Sequence, residues 1–384
     1  MKEDTIERQK AWDPVNTTLD QKIESIPEAK RVETFYNSRW YDVDKELLDR
    51  LKVLKPWRPI LAAINAWFWI FLIVKTFLYV PQLAWGYPIV LFFIAGRMGV
   101  FLQLAHEAAH GLISKGRFNE WFGNWVASYP IGLDLKGYEE PHLRHHACTN
   151  KGCDSLTDSE KYTVCDIKKP KLWFLFLKDL LGITAITVRF RYGQLIANHN
   201  KDIDEYSENE EDLSANRFSH DSLPQTVRKY LSIGFVQLFI LGILFRFNLL
   251  HYLLLWILPL VTAHMVLMRV RGIAEHGLGI QLGIQDLGEK NRGTFYTRSF
   301  GTLANRYRVP FLNLLERWLI GSLNVYYHHE HHLYPKIPYY NLPKVHKMVS
   351  KQIRQYNPHV FAKGYFDCLF FTLRNNTPSA SASN

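Results

Sequence analysis

Eight of the sixteen histidines fall into spacings suited to holding metal, and a ninth joins them as a candidate. In His106-Glu107-Ala108-Ala109-His110 the two imidazoles stand four residues apart, so a helix would place them on one face about 6 Å apart along its axis. His142, His145 and His146 in His-Leu-Arg-His-His, and His328, His331 and His332 in His-His-Glu-His-His, each offer i, i+3 and i+4 imidazoles on one face. His276, in Arg271-Gly272-Ile273-Ala274-Glu275-His276-Gly277, is the ninth candidate. One helical turn can thus present three ligands, enough to divide between two ions. Neutral imidazole suits zinc, copper, iron and nickel, and nine are too many for one structural zinc, which takes four ligands. Glu107 and Glu275 each adjoin a candidate ligand, where a carboxylate can accept an imidazole N–H and fix the ring; the alternative is helix packing or a surface ion pair. His329 faces away from its neighbours, as an outer partner or surface residue. His264 reads as a hydrogen-bonded core histidine outside the cage.

The clusters need elements to carry them, and the apolar runs are the obvious ones. Ile60 to Val80 follows Pro59, a helix-start residue, and its 21 residues are long enough for a hydrocarbon core of about 30 Å. Pro88 to Ala105 forms a second run, and Tyr230 to Phe245 and Leu249 to Met268 form another pair around Arg246 and Phe247. The expectation is an all-α integral membrane protein, with four spans in two hairpins and a cytosolic histidine-rich cap holding a di-metal site. Leu172 to Val188 carries Lys178 and Asp179 near its middle and would place basic segments on opposite sides if it crossed, so it reads as an in-plane interfacial helix. Glu120 to Leu133, interrupted by Gly123, Pro130 and Gly132, reads the same way.

Composition agrees. Hydrophobic residues make up 47% and aromatics 14%, but a mean hydropathy of -0.15 requires a substantial polar part outside the bilayer. The net charge of +10 is explained by the positive-inside bias, without nucleic acid. The four cysteines, Cys148, Cys153, Cys165 and Cys368, form no C-x-x-C pair, so reduced thiols are expected. Residues 1–58 are polar, without a cleavable signal, and are expected to be cytosolic; 59–374 form the membrane domain, and 375–384 a disordered tail. Asp202 to Asp212 holds seven carboxylates in eleven residues and reads as a solvated loop. Lys168 to Lys171, Trp173, Trp40, Tyr41 and Trp57 read as interfacial anchors, the basic run also as a docking patch for an acidic ferredoxin. Arg97 lies within the second span, about 13 Å deeper than His106 on helix geometry, and is a candidate partner for an acidic substrate group or a buried carboxylate.

The three boxes, HEAAH at 106–110, HLRHH at 142–146 and HHEHH at 328–332 followed by Leu333-Tyr334-Pro335, resemble those of the membrane fatty acid desaturase and hydroxylase superfamily. The resemblance runs from about residue 58 to about 350. It implies a centre of two non-haem irons, O2 as oxidant, and electrons from an external carrier, a ferredoxin or a free cytochrome b5, since no H-P-G-G haem motif occurs. It implies a long apolar chain as substrate, most simply a fatty acyl lipid to be desaturated; a hydroxylase or ketolase acting on a fatty acid, carotenoid or alkane shares the same boxes. Glu107 stands where many relatives have Asp, and Cys153-Asp154-Ser155-Leu156 departs from their pattern after the second box. Outside the superfamily, a zinc transporter or zinc-dependent lipid receptor is the competing class, although a transporter would place its ligands near the midplane. The membrane expected is a bacterial inner membrane or the endoplasmic reticulum, with both termini cytosolic.

Overall fold

A computed structural model describes residues 43–149, 169–188, 223–278, 297–300 and 310–375. Within them the chain is helical, apart from one isolated β-bridge between Ser299 and Phe361. Helix α1 (Lys45–Leu51) leads into α2 (Trp57–Tyr79), and a short 3-10 turn into α3 (Tyr87–Ala109). There follow α4 (Arg117–Phe122), α5 (Leu135–Cys148), α6 (Lys169–Leu180) and α7 (Leu223–Phe245). The long α8 (Leu249–His276) is followed by α9 (Pro310–Leu319), α10 (His328–Leu333), α11 (Leu342–Tyr356) and α12 (Tyr365–Asn375). Proline recurs where helices begin, as Pro88, Pro224, Pro310 and Pro343. Its fixed φ suits the first turn, and its missing N–H would have had no partner there.

Four helices are long and apolar enough to cross a membrane: α2, α3 with its preceding turn, α7 and α8. They divide by burial into an inner pair, α3 and α8, and an outer pair, α2 and α7. On α2 the buried residues Ala63, Ala66, Ile70 and Val74 share one helical face, and Ile64, Phe68, Phe71 and Leu72 point outward. On α7 the outward residues are Leu231, Phe235, Leu238, Phe239 and Ile243. Such apolar exteriors are costly in water and ordinary in lipid. Trp67 stacks on Trp256 of α8 at 5.3 Å and leans on Phe101 of α3, and Phe77 meets Tyr87.

The helices outrun the apolar stretches read as spans. α3 continues past Ala105 to Ala109, α7 begins at Leu223 rather than Tyr230, and α8 runs on from Met268 to His276. The extensions of α3 and α8 stay inside the fold: Val270, Ile273 and Ala274 are buried, and so are the polar His106, Glu107, Arg269 and Glu275. Because α8 is extended, His276 closes the helix instead of following it. The helix is not uniform: residues 253–257 form a π turn, and the backbone breaks at Thr262. Pro259 removes an N–H from the ladder, and the Thr262 hydroxyl donates to the Leu258 carbonyl at 2.6 Å.

The segment read as one helix from Leu172 to Val188 is two: α6 ends at Leu180, Gly182 adopts a left-handed φ of 72°, and residues 183–188 resume. Asp179, one of the charges noted there, is fully buried and receives both Nε and Nη2 of Arg269 on α8. Glu120 to Leu133 is likewise composite, a π turn and a 3-10 turn ending at left-handed Gly132. Residues just before α2 pack on the segment after α10: Lys55 N–H donates to the Tyr340 hydroxyl and Asn341 Nδ2 to the Leu51 carbonyl. The acidic stretch 202–212, the segment 153–156, Trp40, Tyr41 and the tail from 376 lie outside the described residues.

Removing one member of a buried ion pair leaves the other charge unsolvated. Asp179→Ala is expected to cost about 3–5 kcal/mol, whereas Asp179→Leu with Arg269→Met recovers most of it; thermal melts of the detergent-solubilised protein measure both.

Candidate metal centre

The nine candidate histidines converge at one end of the helices, and they do so as two groups. Ring nitrogens of His106, His110, His142, His146 and His331 all lie within 4.8 Å of one another, as do those of His145, His276, His328 and His332. Helices α5 and α10 serve both groups. On α5, His142 and His146 point to the first and His145 to the second; on α10, His331 points to the first and His328 and His332 to the second. The end of α3 contributes only to the first group and the end of α8 only to the second. The rings of His146 and His332 stack at 4.2 Å where the groups adjoin.

The contacts are nitrogen against nitrogen. His110 Nε2 lies 2.8 Å from His142 Nε2 and 3.2 Å from His146 Nε2, and His146 Nε2 lies 3.0 Å from His331 Nε2. In the second group His276 Nε2 is 2.9 Å from His328 Nε2. A neutral imidazole has one N–H and one lone pair, so four Nε2 atoms facing one another cannot all be satisfied by protons. Two nitrogens bound to one ion at about 2.0–2.1 Å stand roughly 3 Å apart, so the spacing fits a shared cation. One tautomer can be assigned: the Thr149 hydroxyl donates to the His145 carbonyl at 2.7 Å, so at 3.3 Å it accepts from His332 Nδ1–H. His332 Nε2, which has no hydrogen-bond partner, then carries its lone pair.

Desolvation, followed by repulsion from neighbouring imidazoles, holds His142, His146, His328, His331 and His332 well below the ordinary histidine range and His110 down to about 4. Neutral imidazole is the form that donates to a metal.

Around the cluster lies a shell of carboxylates and their partners. Glu275 accepts from Arg271 Nε through both oxygens at 2.8 Å and from the Tyr365 hydroxyl at 3.1 Å, and Oε2 lies 3.4 Å from His328 Nδ1. Glu107 accepts from the Tyr339 N–H at 3.0 Å; its nearer approach to His106 Nδ1 is 3.8 Å, too long for a hydrogen bond. Glu330 is fully buried on the far side of α10 and binds His346 Nδ1 at 2.5 Å and the Ser299 hydroxyl at 2.9 Å. The segment 297–300 ties this module together: Arg298 N–H donates to the Glu275 carbonyl, Phe300 N–H to that of Tyr326, and His329 N–H to that of Arg298. His329 is fully buried, not at the surface, with Nδ1 3.0 Å from the Thr297 hydroxyl. Thr149, Tyr339, Arg271, Tyr365, Ser299 and His346 were not singled out in the sequence. For Glu330 a signal existed, since the helical period places it opposite the faces of His328, His331 and His332.

A cavity of about 420 Å³ reaches the histidines of both groups: His106 and His142 from one, His145, His276 and His328 from the other. Leu102, Ile131, Leu260, Val261 and Met265 line its apolar part. Asp134 and Lys229, 3.4 Å apart, also line it, as do Tyr138 and Tyr230. His264 faces the cavity too, with Nδ1 3.4 Å from the Ala95 carbonyl, outside both groups. Arg97 meets neither an acidic ligand nor a carboxylate: its guanidinium donates to the Trp318 carbonyl and lies 4.0 Å from the centre of the Trp318 ring.

Four helices apolar enough to cross a membrane and two adjoining histidine clusters that could hold metal ions, facing a largely apolar cavity, define a helical protein with a candidate metal site beside an apolar pocket. The fatty acid desaturase family model matches residues 83–364, and the chain belongs to that family. The chain is also similar to dihydrorhizobitoxine desaturase of Bradyrhizobium elkanii, 28% identical over 277 residues that cover 69% of this chain and 68% of the relative.

Two outcomes are expected. A histidine whose folded pKa is depressed takes up a proton more readily in the unfolded chain, so the metal-free protein loses stability as pH falls from about 6.5 toward the folded value, which is about 4 for His110. Melting temperatures across that window should fall with pH. Glu330→Ala, which strands His346 and Ser299, is expected to lower stability by about 1–3 kcal/mol in the same melts.

Proposed function

We propose that the chain is an O2-dependent desaturase of an acyl lipid, with two non-haem irons held by His106, His110, His142, His146 and His331 and by His145, His276, His328 and His332. The observation that carries this reading is the convergence of imidazole ring nitrogens in two adjoining groups that both open onto one largely apolar cavity. In this reading 59–374 form the membrane domain with two helical hairpins, the histidine end faces the cytosol as a cap, and α6 with 183–188 lies in the interface. The donor is a separate ferredoxin or cytochrome b5.

Iron bound there would activate O2 for attack on an unactivated C–H bond. Removing two vicinal hydrogens while O2 becomes two waters requires two further electrons and two protons, which is why a donor is needed. The residues of the chain do the remaining work. Leu102, Ile131, Leu260, Val261 and Met265 hold an apolar chain and exclude water, which strengthens every electrostatic interaction at the histidines. Thr149 holds the His332 tautomer, and Glu275, fixed by Arg271 and Tyr365, steadies His328. The cations that line the cavity have carboxylate partners: Lys229 has Asp134, Arg269 has Asp179 and Arg271 has Glu275. The lining therefore suits the uncharged part of a substrate.

The test is untargeted mass spectrometry of lipids, pigments and small metabolites from a host expressing the wild type or His331→Ala, with reductase and donor supplied. Small metabolites are included because the relative is named for dihydrorhizobitoxine. Products two hydrogens lighter that vanish in the variant are expected; products gaining one oxygen would move the assignment to a hydroxylase or ketolase. Purified wild type should carry two irons per chain, and stoichiometric zinc without iron would favour the transporter or receptor class.

A further inference from the structure

Helix α9 has its polarity inverted. Phe311 and Leu314 are more than 60% exposed, whereas Glu316 is 1% exposed and accepts from the Phe366 N–H at 2.8 Å. A helix on an aqueous surface shows the opposite pattern. Its surroundings show where that apolar face lies. Trp318 packs edge-on against Trp69 of α2 at 4.9 Å and against Phe93 of α3 at 6.1 Å. Trp69 is about 18 Å along α2 from Trp57, and Phe93 about 20 Å along α3 from His106, at 1.5 Å per residue. Both positions are near the middle of an apolar core about 30 Å thick. At this level α2 presents Ile64, Phe68 and Phe71 outward.

The chain is at the histidine end on both sides of this helix. Phe300 is hydrogen-bonded to Tyr326, and His328 belongs to the second histidine group. Between them, Leu319 touches α3 at Gly96, where an added Cβ would come within 2.8 Å of Leu319 Cα. Two of the carbonyls at the end of α9 also have partners. Ile320 and Gly321 N–H groups take that of Glu316, and the Arg97 guanidinium takes that of Trp318. In hydrocarbon this is required, because water is not there to complete a helix end.

We propose that α9 is a re-entrant helix, entering from and returning to the histidine end, whose outer face of Phe311 and Leu314 is seated among the acyl chains of the bilayer. The proposal rests on α2 and α3 spanning the membrane. It makes Arg97 and Gly96 the intramembrane seat of the helix, with only residues 320–327 separating it from His328.

The test is oxygen and nickel-chelate accessibility of nitroxides in phosphatidylcholine–phosphatidylglycerol vesicles, using the full chain with its four cysteines replaced by alanine. Leu314→Cys, with Phe311→Cys as a second label, is compared with Phe68→Cys at mid-span and Lys115→Cys in a polar loop. Both α9 labels are expected to match Phe68→Cys and to exceed Lys115→Cys by on the order of tenfold in the oxygen-to-nickel ratio, as a position in hydrocarbon should. A high ratio at Phe68→Cys with water-like ratios at both α9 labels overturns the re-entrant helix and leaves the spans intact. Water-like ratios at all four positions overturn the spans and the proposal together.

Discussion

Nine imidazoles brought together out of water repel one another if charged and leave lone pairs facing each other if neutral. Nearly everything near them serves to hold that arrangement. The ends of α3 and α8 and the short helices α5 and α10 remove the freedom to move apart. The cluster also explains why the inner spans are longer than a bilayer requires: α3 and α8 must leave the apolar layer to deliver His106, His110 and His276. The outer helices α2 and α7 carry no candidate ligand.

A second layer of polar contacts serves the first. Glu275, Glu330 and Asp179 are buried carboxylates, each bound by a side chain from another element. None of them faces water, so each commits the elements it joins to one arrangement. The short segment 297–300 belongs to the same layer through its backbone: it gives one N–H to α8 and another to the chain ahead of α10, and accepts one from α10. The two histidine groups are in this way tied to each other by more than their own rings.

Much of this was legible in the sequence because it depends on period. The i, i+3 and i+4 spacings assembled eight of the nine histidines, His276 being placed by the end of the fourth apolar run, and four apolar runs marked the four long helices. What escaped notice depended on contacts distant in sequence. Arg97 offered several partners, and the Trp318 carbonyl, 221 residues away, carries no signal of its own. Thr149 and Tyr339 are ordinary residues until folding sets one beside His332 and the other beside Glu107. Helix ends were misplaced where apolarity stops before packing does, as at Val270 to Ala274. The division of each box between two groups is a property of three-dimensional aim, and spacing alone left it open.

That division makes α5 and α10 act like shared axles. A rotation of α10 by the equivalent of one residue, about 100°, would carry His331 away from one group in the same motion that carries His328 and His332 away from the other. The centres would fail together, so the chain leading into α10 must hold it at one rotation. Leu323 and Asn324, both held at left-handed φ of 52° and 58°, precede it in a turn that ordinary side chains adopt reluctantly. Asn324 is pinned further by its contacts with Tyr339 and Tyr326.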